Sequence, residues 1–237
     1  MDYKATAIVL KRIPYSDSKL IMHVFTREYG RLAVIMHGGK GQKSKYKRNL
    51  ASPMQLLDLV LYKRPGVDIF GLKEIKHNYV FKRINNDIKR SSVAMYLMEF
   101  FNKVIKTSDP NQAYFDFCRK SILCLDNNAN IENLHLFVLV KSLIYMGIKP
   151  SVLDKNKPYF DISSGESSLS LGINSMNMDN TNILRCILGT NLDSMIELKL
   201  NSKQRIAFLD KIEQYWICHF EGFTKSKSLK VLRQLWD

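Results

Sequence analysis

Apolar and polar residues alternate along the first 80 positions in short runs: ATAIVLKRI, KLIMHVFT, RLAVIMH, LLDLVLYK and IFGLKEIKH. A period of two places successive side chains on opposite faces, so each run predicts a half-buried strand. Five such strands at about ten-residue spacing predict a small barrel or sandwich. The breaks PYSDS, REYG, HGGKGQKS and KRPGVD carry the Pro, Gly, Ser and Asp that set or cap turn dihedrals. Gly30 and Arg64-Pro65-Gly66 fit tight hairpin turns. The connection from Gly38 to Pro53 is too long for one, and a long connection in a compact domain is usually functional or disordered.

Beyond residue 82 the period becomes helical. Ile84, Ile88, Met95, Leu97, Met98, Phe101 and Ile105 recur at three- and four-residue steps and predict a buried stripe. Asp109-Pro110 opens a second helix through Tyr114, Phe117, Ile122 and Leu125, which Asn127-Asn128 closes. Asn133 to Met146 is apolar almost all round, as expected at the centre of a bundle, and Gly147 stops it. Residues 149–176 are polar and interrupted, with at most a short hairpin around Ser164-Gly165. Two helices follow, over 179–188 and 202–220, the latter with Ile206, Leu209, Ile212, Trp216 and Phe220 on one face. A short helix through Leu229, Leu232 and Leu235 comes last. The pattern predicts an α+β architecture: a β-barrel over residues 1–80, then an α-helical domain over 81–237 with an irregular insertion near 149–176.

Charge sharpens this picture. The chain has 237 residues and a formal net charge of +14, which favours polyanionic partners such as nucleic acid, acidic protein tails or anionic membranes. Residues 1–90 hold 19 Lys/Arg against 7 Asp/Glu, whereas residues 91–237 hold 17 against 15, so the excess belongs to the barrel. Its densest part is HGGKGQKSKYKRNLAS. The order of Gly, Lys and Ser resembles a phosphate-binding loop, but such a loop needs Gly-Lys followed directly by Ser or Thr. Gly39-Lys40 is followed by Gly41, and Lys43-Ser44 is preceded by Gln42. The stretch instead suits a flexible loop whose Lys40, Lys43, Lys45, Lys47 and Arg48 follow a nucleic-acid backbone while Tyr46 stacks on a base. Lys11, Arg12, Lys19, Arg27 and Arg31 flank predicted turns and extend that groove. Tyr15 and Phe25 are expected in core or turn packing.

Other chemistry finds little support. His23, His37, His77, His135 and His219 lack HxxxH or HxxE spacing, and Cys118, Cys124, Cys186 and Cys218 form no CxxC pair. No metal or other cofactor is expected. No GxSxG and no catalytic constellation is evident, so binding rather than enzymatic activity is expected. The N-terminal MDYKATAIVLKR does not have the pattern of a signal peptide, and LHLFVLVKSLIYMG is too short to span a bilayer. The expectation is a cytoplasmic protein with reduced thiols and no membrane partner.

The run KATAIVLKRIPYSDSKLIMHVFTREYGRLAVIMHGGKGQKSKYKRNLASPMQLLDLVLYKR closely resembles the N-terminal domain of the RecO family of bacterial recombination mediators. The match rests on Tyr15-Ser16-Asp17-Ser18, on Phe25-Thr26 before Gly30, on the basic loop with Lys43-Ser44-Lys45, and on the Leu-rich strand after Pro53. The closing Lys227-Ser228-Leu229-Lys230-Val231-Leu232-Arg233 is similar to that family's C-terminal run. The resemblance implies an OB-fold followed by an all-α domain, acting in DNA repair and recombination through the RecFOR pathway. It implies binding of single- and double-stranded DNA, strand annealing, capture of the acidic C-terminal tail of single-strand-binding protein, and cooperation with RecR to load RecA, with RecF as a further candidate partner. Arg119, Lys120 and Lys141 are the candidate cations for tail capture. Many family members carry a four-cysteine zinc site after the central helix; the corresponding KPSVLDKNKPYFDISSGESSLS has no cysteine, so that segment is expected to rely on packing. An RNA-binding OB protein without a recombination role is the alternative.

Overall fold

The computed structural model describes residues 2–37, 41–151 and 154–234, with the backbone alone described for residues 43–45 and 196–197. Five strands form a closed barrel in the order β1-β2-β3-β5-β4, comprising β1 (Asp2–Ser16), β2 (Lys19–Thr26), β3 (Gly30–His37), β4 (Leu56–Tyr62) and β5 (Phe70–Tyr79). All pairings are antiparallel except β3 with β5, where Val34 and Ile35 lie beside Phe70 and Gly71. The five apolar runs are these five strands, and the order is that of an OB-like barrel.

Inward positions follow the period of two. Ala7 and Val9, Met22 and Val24, Leu32, Val34 and Met36, and Leu57, Leu59 and Leu61 all belong to one buried cluster. Tyr3 packs edge-on against Tyr29 and Phe70, with ring centroids 5.7 and 5.3 Å away. Part of the outward surface of β1 and β2 is buried as well. Ile8 and Leu10 are inaccessible, and Phe25 meets the ring of Phe115 at 5.4 Å. A sheet buried on both faces needs a second layer, which the next two helices supply.

Those helices are α2 (Ile88–Val104) and α3 (Gln112–Asn127), the numbering leaving α1 for the β3–β4 connection. Residues 1–126 form one compact unit and residues 127–237 another. Within the first, the β2–β3 turn is fastened to the helices at several points. Gly30 has φ of +65°, and a Cβ there would stand 2.6 Å from the Ser108 and Asp109 backbone. The Arg31 guanidinium donates to the carbonyls of Asn102, at 2.9 Å, and Ile105, and to Asn102 Oδ1 at 3.0 Å. These carbonyls lie at the C-terminus of α2, where cations offset the helix dipole and unfilled acceptors need donors. Burial lowers the Arg31 pKa, and the oxygen acceptors stabilise the charge. Arg27 makes a bidentate pair with Asp116 at 2.8 and 3.0 Å in an exposed setting.

Asp126 fixes the passage from β5 to α2. Its carboxylate accepts from the backbone N–H groups of Lys82, Arg83 and Ile84 at 2.9–3.0 Å and from the Tyr79 hydroxyl at 2.9 Å. Burial raises its pKa, yet these hydrogen bonds outweigh burial and leave it below the ordinary carboxylate range. The passage includes a 3-10 turn, Ile84–Asn86, after which Asp87 caps α2 by accepting from Lys89 and Arg90 N–H. The helix therefore starts at Ile88, and its buried face runs through Val93, Leu97, Phe101 and Val104. Ile88 and Met95, expected in the buried stripe, are instead 72% and 46% exposed.

The second unit contains α4 (Leu134–Tyr145), α5 (Met178–Gly189), α6 (Ser202–His219) and α7 (Leu229–Gln234), each within about two residues of its sequence prediction. Phe208 and Tyr215 add to the buried face of α6, and Trp216 Nε1 donates to the Leu139 carbonyl at 3.3 Å. Between α4 and α5 the chain forms more than the expected hairpin. Strands β6 (Tyr159–Asp161), β7 (Glu166–Ser168) and β8 (Ser175–Met176) make a three-stranded sheet in the order β7-β6-β8. Phe160, wholly buried, lies 5.7 Å from the Tyr215 ring, and His219 Nε2 donates to the Ile162 carbonyl at 2.6 Å. Arg185 holds the preceding loop by donating to the carbonyls of Asp154 and Lys157 at 2.9 and 2.6 Å.

Two stability outcomes follow from the clamps of the first unit. Arg31→Ala strands the acceptors at the α2 terminus and is expected to cost about 2 kcal/mol in urea denaturation, whereas Arg27→Ala, which opens a solvated pair, should leave the midpoint nearly unchanged. Asp126→Asn is expected to cost about 2 kcal/mol at neutral pH. Because the folded pKa of Asp126 is depressed, its stabilisation is complete above the unfolded pKa of about 3.9 and is lost as pH falls through the folded value. The difference between wild type and Asp126→Asn should therefore shrink in denaturation series taken toward acid.

Candidate nucleic-acid interface

The connection expected to be a flexible basic loop contains a helix. Gly41 is the N-cap of α1 (Gln42–Leu50), and Gly41 has no side chain to accept from the first-turn N–H groups. Tyr46 and Leu50 fall four residues apart on the side that meets the barrel. Leu50 and the following Ala51 enter the barrel core, and the Tyr46 ring stands edge-on to His77 of β5 at 6.5 Å. Lys47 and Arg48 occupy the last turn, where they complement the helix dipole. The chain then turns through Met54, at φ of +74° the one non-glycine residue with positive φ among the described residues.

Arg12 joins α1 to the β1–β2 hairpin. Its Nη1 donates to the Arg48 carbonyl at 3.0 Å and to Ser52 Oγ at 3.3 Å, supplying a donor to the C-terminal end of α1. Between the hairpin tip and this helix end lies an open groove of about 420 Å³. Arg12, Lys19 and Arg48 line it beside Ile13, Pro14 and Leu20, with Asp17 as its carboxylate. Tyr15, in the same hairpin tip, is 62% exposed and Tyr46 57% exposed. Cations beside apolar floor and accessible aromatic rings form a surface that can hold phosphates and stack bases.

The structure sorts the predicted residues into four groups. Arg12, Tyr46, Lys47 and Arg48 gather at α1 and the groove. The backbones of Lys43 and Lys45 lie on α1, while Lys40 lies outside the described residues with Gly38 and Gly39. Arg27 and Arg31 are instead engaged with Asp116 and the end of α2, so their charge serves the fold. Lys11 is set apart from Arg12 by strand alternation and lines a separate cleft facing α2. Its charge and that of Arg31 act on His23, the partner of Lys11 in the β1–β2 register; burial first, then these cations, lowers the His23 pKa.

Tyr15 departs from the packing expected for it, whereas Phe25 is buried as expected. The signal for Tyr15 was its place between Pro14 and the Ser16-Asp17-Ser18 turn, past the point where β1 has a partner on both sides. Of the cations considered for tail capture, Arg119 donates to Asn78 Oδ1 at 3.1 Å. Lys141 donates to the Leu188 carbonyl at 2.8 Å and stands over the Phe137 ring at 5.5 Å. Among the described residues no group of three His, Cys, Asp or Glu side chains is placed to hold a metal ion, and no helix is long and apolar enough to cross a membrane.

Comparison with known proteins agrees with this architecture along nearly the whole chain. Residues 1–80 match the family model described as Recombination protein O N terminal, and residues 85–228 match Recombination protein O C terminal. Similar curated proteins include the DNA repair protein RecO of Flavobacterium psychrophilum, 28% identical over 239 residues with all of both chains covered. That of Christiangramia forsetii is 29% identical over 234 residues, covering 97% of each chain. That of Bacteroides fragilis is 28% identical over 239 residues, covering 99% of each. With an OB-like barrel, a helical region after it and both family models matched in order, the chain belongs to the RecO family of DNA repair proteins.

Proposed function

We propose that this protein is a non-enzymatic recombination mediator that binds single- and double-stranded DNA and anneals complementary strands. The observation that carries this reading is the groove beside α1, where Arg12, Lys19 and Arg48 line an apolar floor, with exposed Tyr15 in the same hairpin tip and exposed Tyr46 on α1. Annealing requires no bond chemistry. Two strands repel through their phosphates, and a cationic surface that holds both lowers the repulsion while raising their local concentration. Contacts to phosphate make binding independent of sequence and dependent on salt.

The wider proposal places the protein in the bacterial cytoplasm at nucleoid DNA, working with RecR to help load RecA onto strands coated by single-strand-binding protein. Capture of that protein's acidic tail would recruit the mediator to the coat, with RecF as a further candidate partner. Arg119 and Lys141 have internal acceptors, which makes them weaker candidates for tail capture than the sequence alone suggested.

Two measurements test the reading. Replacing Lys43, Lys45, Lys47 and Arg48 together by Ala should weaken binding to a single-stranded oligonucleotide and flatten its salt dependence by about 0.7 logarithmic units per lost phosphate contact; an unchanged slope removes α1 from the interface. The rate of annealing should rise on strands carrying intact single-strand-binding protein and fall when the coat lacks its acidic tail. No acceleration on either coat rejects the mediator role, and tighter binding to structured RNA than to single-stranded DNA would redirect the assignment to RNA.

A further inference from the structure

A second cleft, of about 510 Å³, lies on the α2 side of β1. Its floor is apolar: Leu10, Pro53, Met54, Ile84 and Met98 contribute, with Met95 at the opening. Its rim is polar, formed by Lys11, Asn85, Glu99 and Asn102. The fold builds this cleft at some cost. The β1–β2 register shifts between Val9 and Lys11, leaving Leu10 as an extra residue, and such a bulge bends a strand and redirects the next side chain. Opposite, Met54 holds a φ of +74° while its N–H donates to the Val9 carbonyl at 2.7 Å. A non-glycine residue in that region is strained, and strain of this kind collects at functional sites.

The α2 wall supports the same conclusion. Most of α2 is buried, and its exposed stripe runs through Ile88, Ser91 and Met95, with Glu99 and Asn102 half-buried beyond them. Ile88 and Met95 leave apolar surface open on that stripe. Methionines suit a ligand of variable outline, because the thioether chain is flexible and polarizable and packs well against aromatic rings.

We infer that this cleft receives an unpaired nucleobase from the DNA strand held in the basic groove. The inference rests on the DNA-binding reading and extends it from phosphates to a base. Two features select this occupant. Arg12 and Lys11 are consecutive on β1 and face the groove and the cleft respectively, so a strand crossing β1 keeps a cation beside its backbone on both sides. At the rim Lys11 and Asn85 offer an ammonium and an amide to the edge of a base, Glu99 being paired with Lys103 at 2.9 Å and Asn102 accepting from Arg31, while the methionine floor takes its face. Each unpaired base held this way leaves the stack with its neighbours, which favours an extended, pairing-ready strand over a collapsed one.

The test compares a short thymidine oligonucleotide with the same backbone carrying abasic residues, on the full chain and on Met95→Ala and Asn85→Ala variants, both at exposed positions. The abasic strand should bind about tenfold more weakly. The variants should weaken the base-bearing strand several-fold and leave the abasic strand unchanged. Irradiation of a 5-iodouracil oligonucleotide on the wild-type chain should crosslink to the peptide spanning residues 84–102. Equal affinity for the two strands, or crosslinks confined to Tyr15 and Tyr46, overturns the cleft assignment while leaving DNA binding intact. Failure of both strands to bind overturns the interface itself. Loss confined to the variants, with no crosslink to α2, also rejects the base pocket.

Discussion

Closing five strands into a barrel obliges β1 to pair along both edges, and most of the first unit depends on how it does so. From Asp2 to Ile8 it pairs with β4, and from Ala7 to Ser16 with β2. Beyond Ile8 the β4 edge is replaced by Gln55 and Met54, which exchange backbone hydrogen bonds with Val9. Past that point β1 pairs with β2 alone, while β2 stays paired with β3 as far as Lys19 and His37. The outer edge of this extension of β1 has no strand partner, and Arg12 and Tyr15 are exposed along it. Had β1 ended with its β4 partner, the barrel would close equally well and the groove would have no second wall.

The arginines of this chain show why net charge overstates a binding surface. Arg31 serves the end of α2, Arg90 donates to the Leu125 carbonyl near the end of α3, and Arg12 donates to the Arg48 carbonyl of α1. In the second unit Arg185 serves two loop carbonyls, and Arg205 donates to Asn133 Oδ1 and Glu132 at 3.1 and 3.0 Å. A guanidinium has five donors in a planar fork, and a helix end offers several carbonyls with no partner of their own. Much of the formal charge is thus placed by the backbone it must satisfy. Arg12 can do both, since it caps α1 from within the groove and remains exposed to a phosphate.

The barrel was legible in the sequence because its inner face is purely local information: a period of two survives in every strand, and the turns carry residues suited to them. The helices of the second unit were legible for the same reason. Of the stripe predicted around α2, Ile84, Leu97, Met98, Phe101 and Ile105 are buried, while Ile88 and Met95 fall on the open side. Periodicity gives a stripe but not the neighbours that decide where its edges lie. Helix α1 was hidden because its run is almost wholly polar, and among its described side chains Leu50 alone is buried. The internal partners of Arg27 and Arg31 could not be read because they lie 89 and 71 residues away. The groove was half visible: its cations stood out, but the exposure of Tyr15 follows from an edge of β1 that has no strand partner there.

Helix α1 carries cations at both ends, and only those of the last turn, Lys47 and Arg48, suit its dipole. Nine residues are fewer than an isolated helix needs in water, and its first turn carries Lys43 and Lys45 where the dipole favours acid, with no side-chain cap. Burial of Leu50, about 2 kcal/mol, and the cations of the last turn offset the charges near the wrong end of the dipole, about 0.3–1 kcal/mol each. Exchanging these lysines for Ala or Glu would strengthen the helix, so their presence is unfavourable for the fold taken alone. A phosphate beside the first turn would supply the anion that this end of the dipole lacks. Conflict between local sequence and local structure, relieved by one class of ligand, is the pattern expected where a surface is built for that ligand.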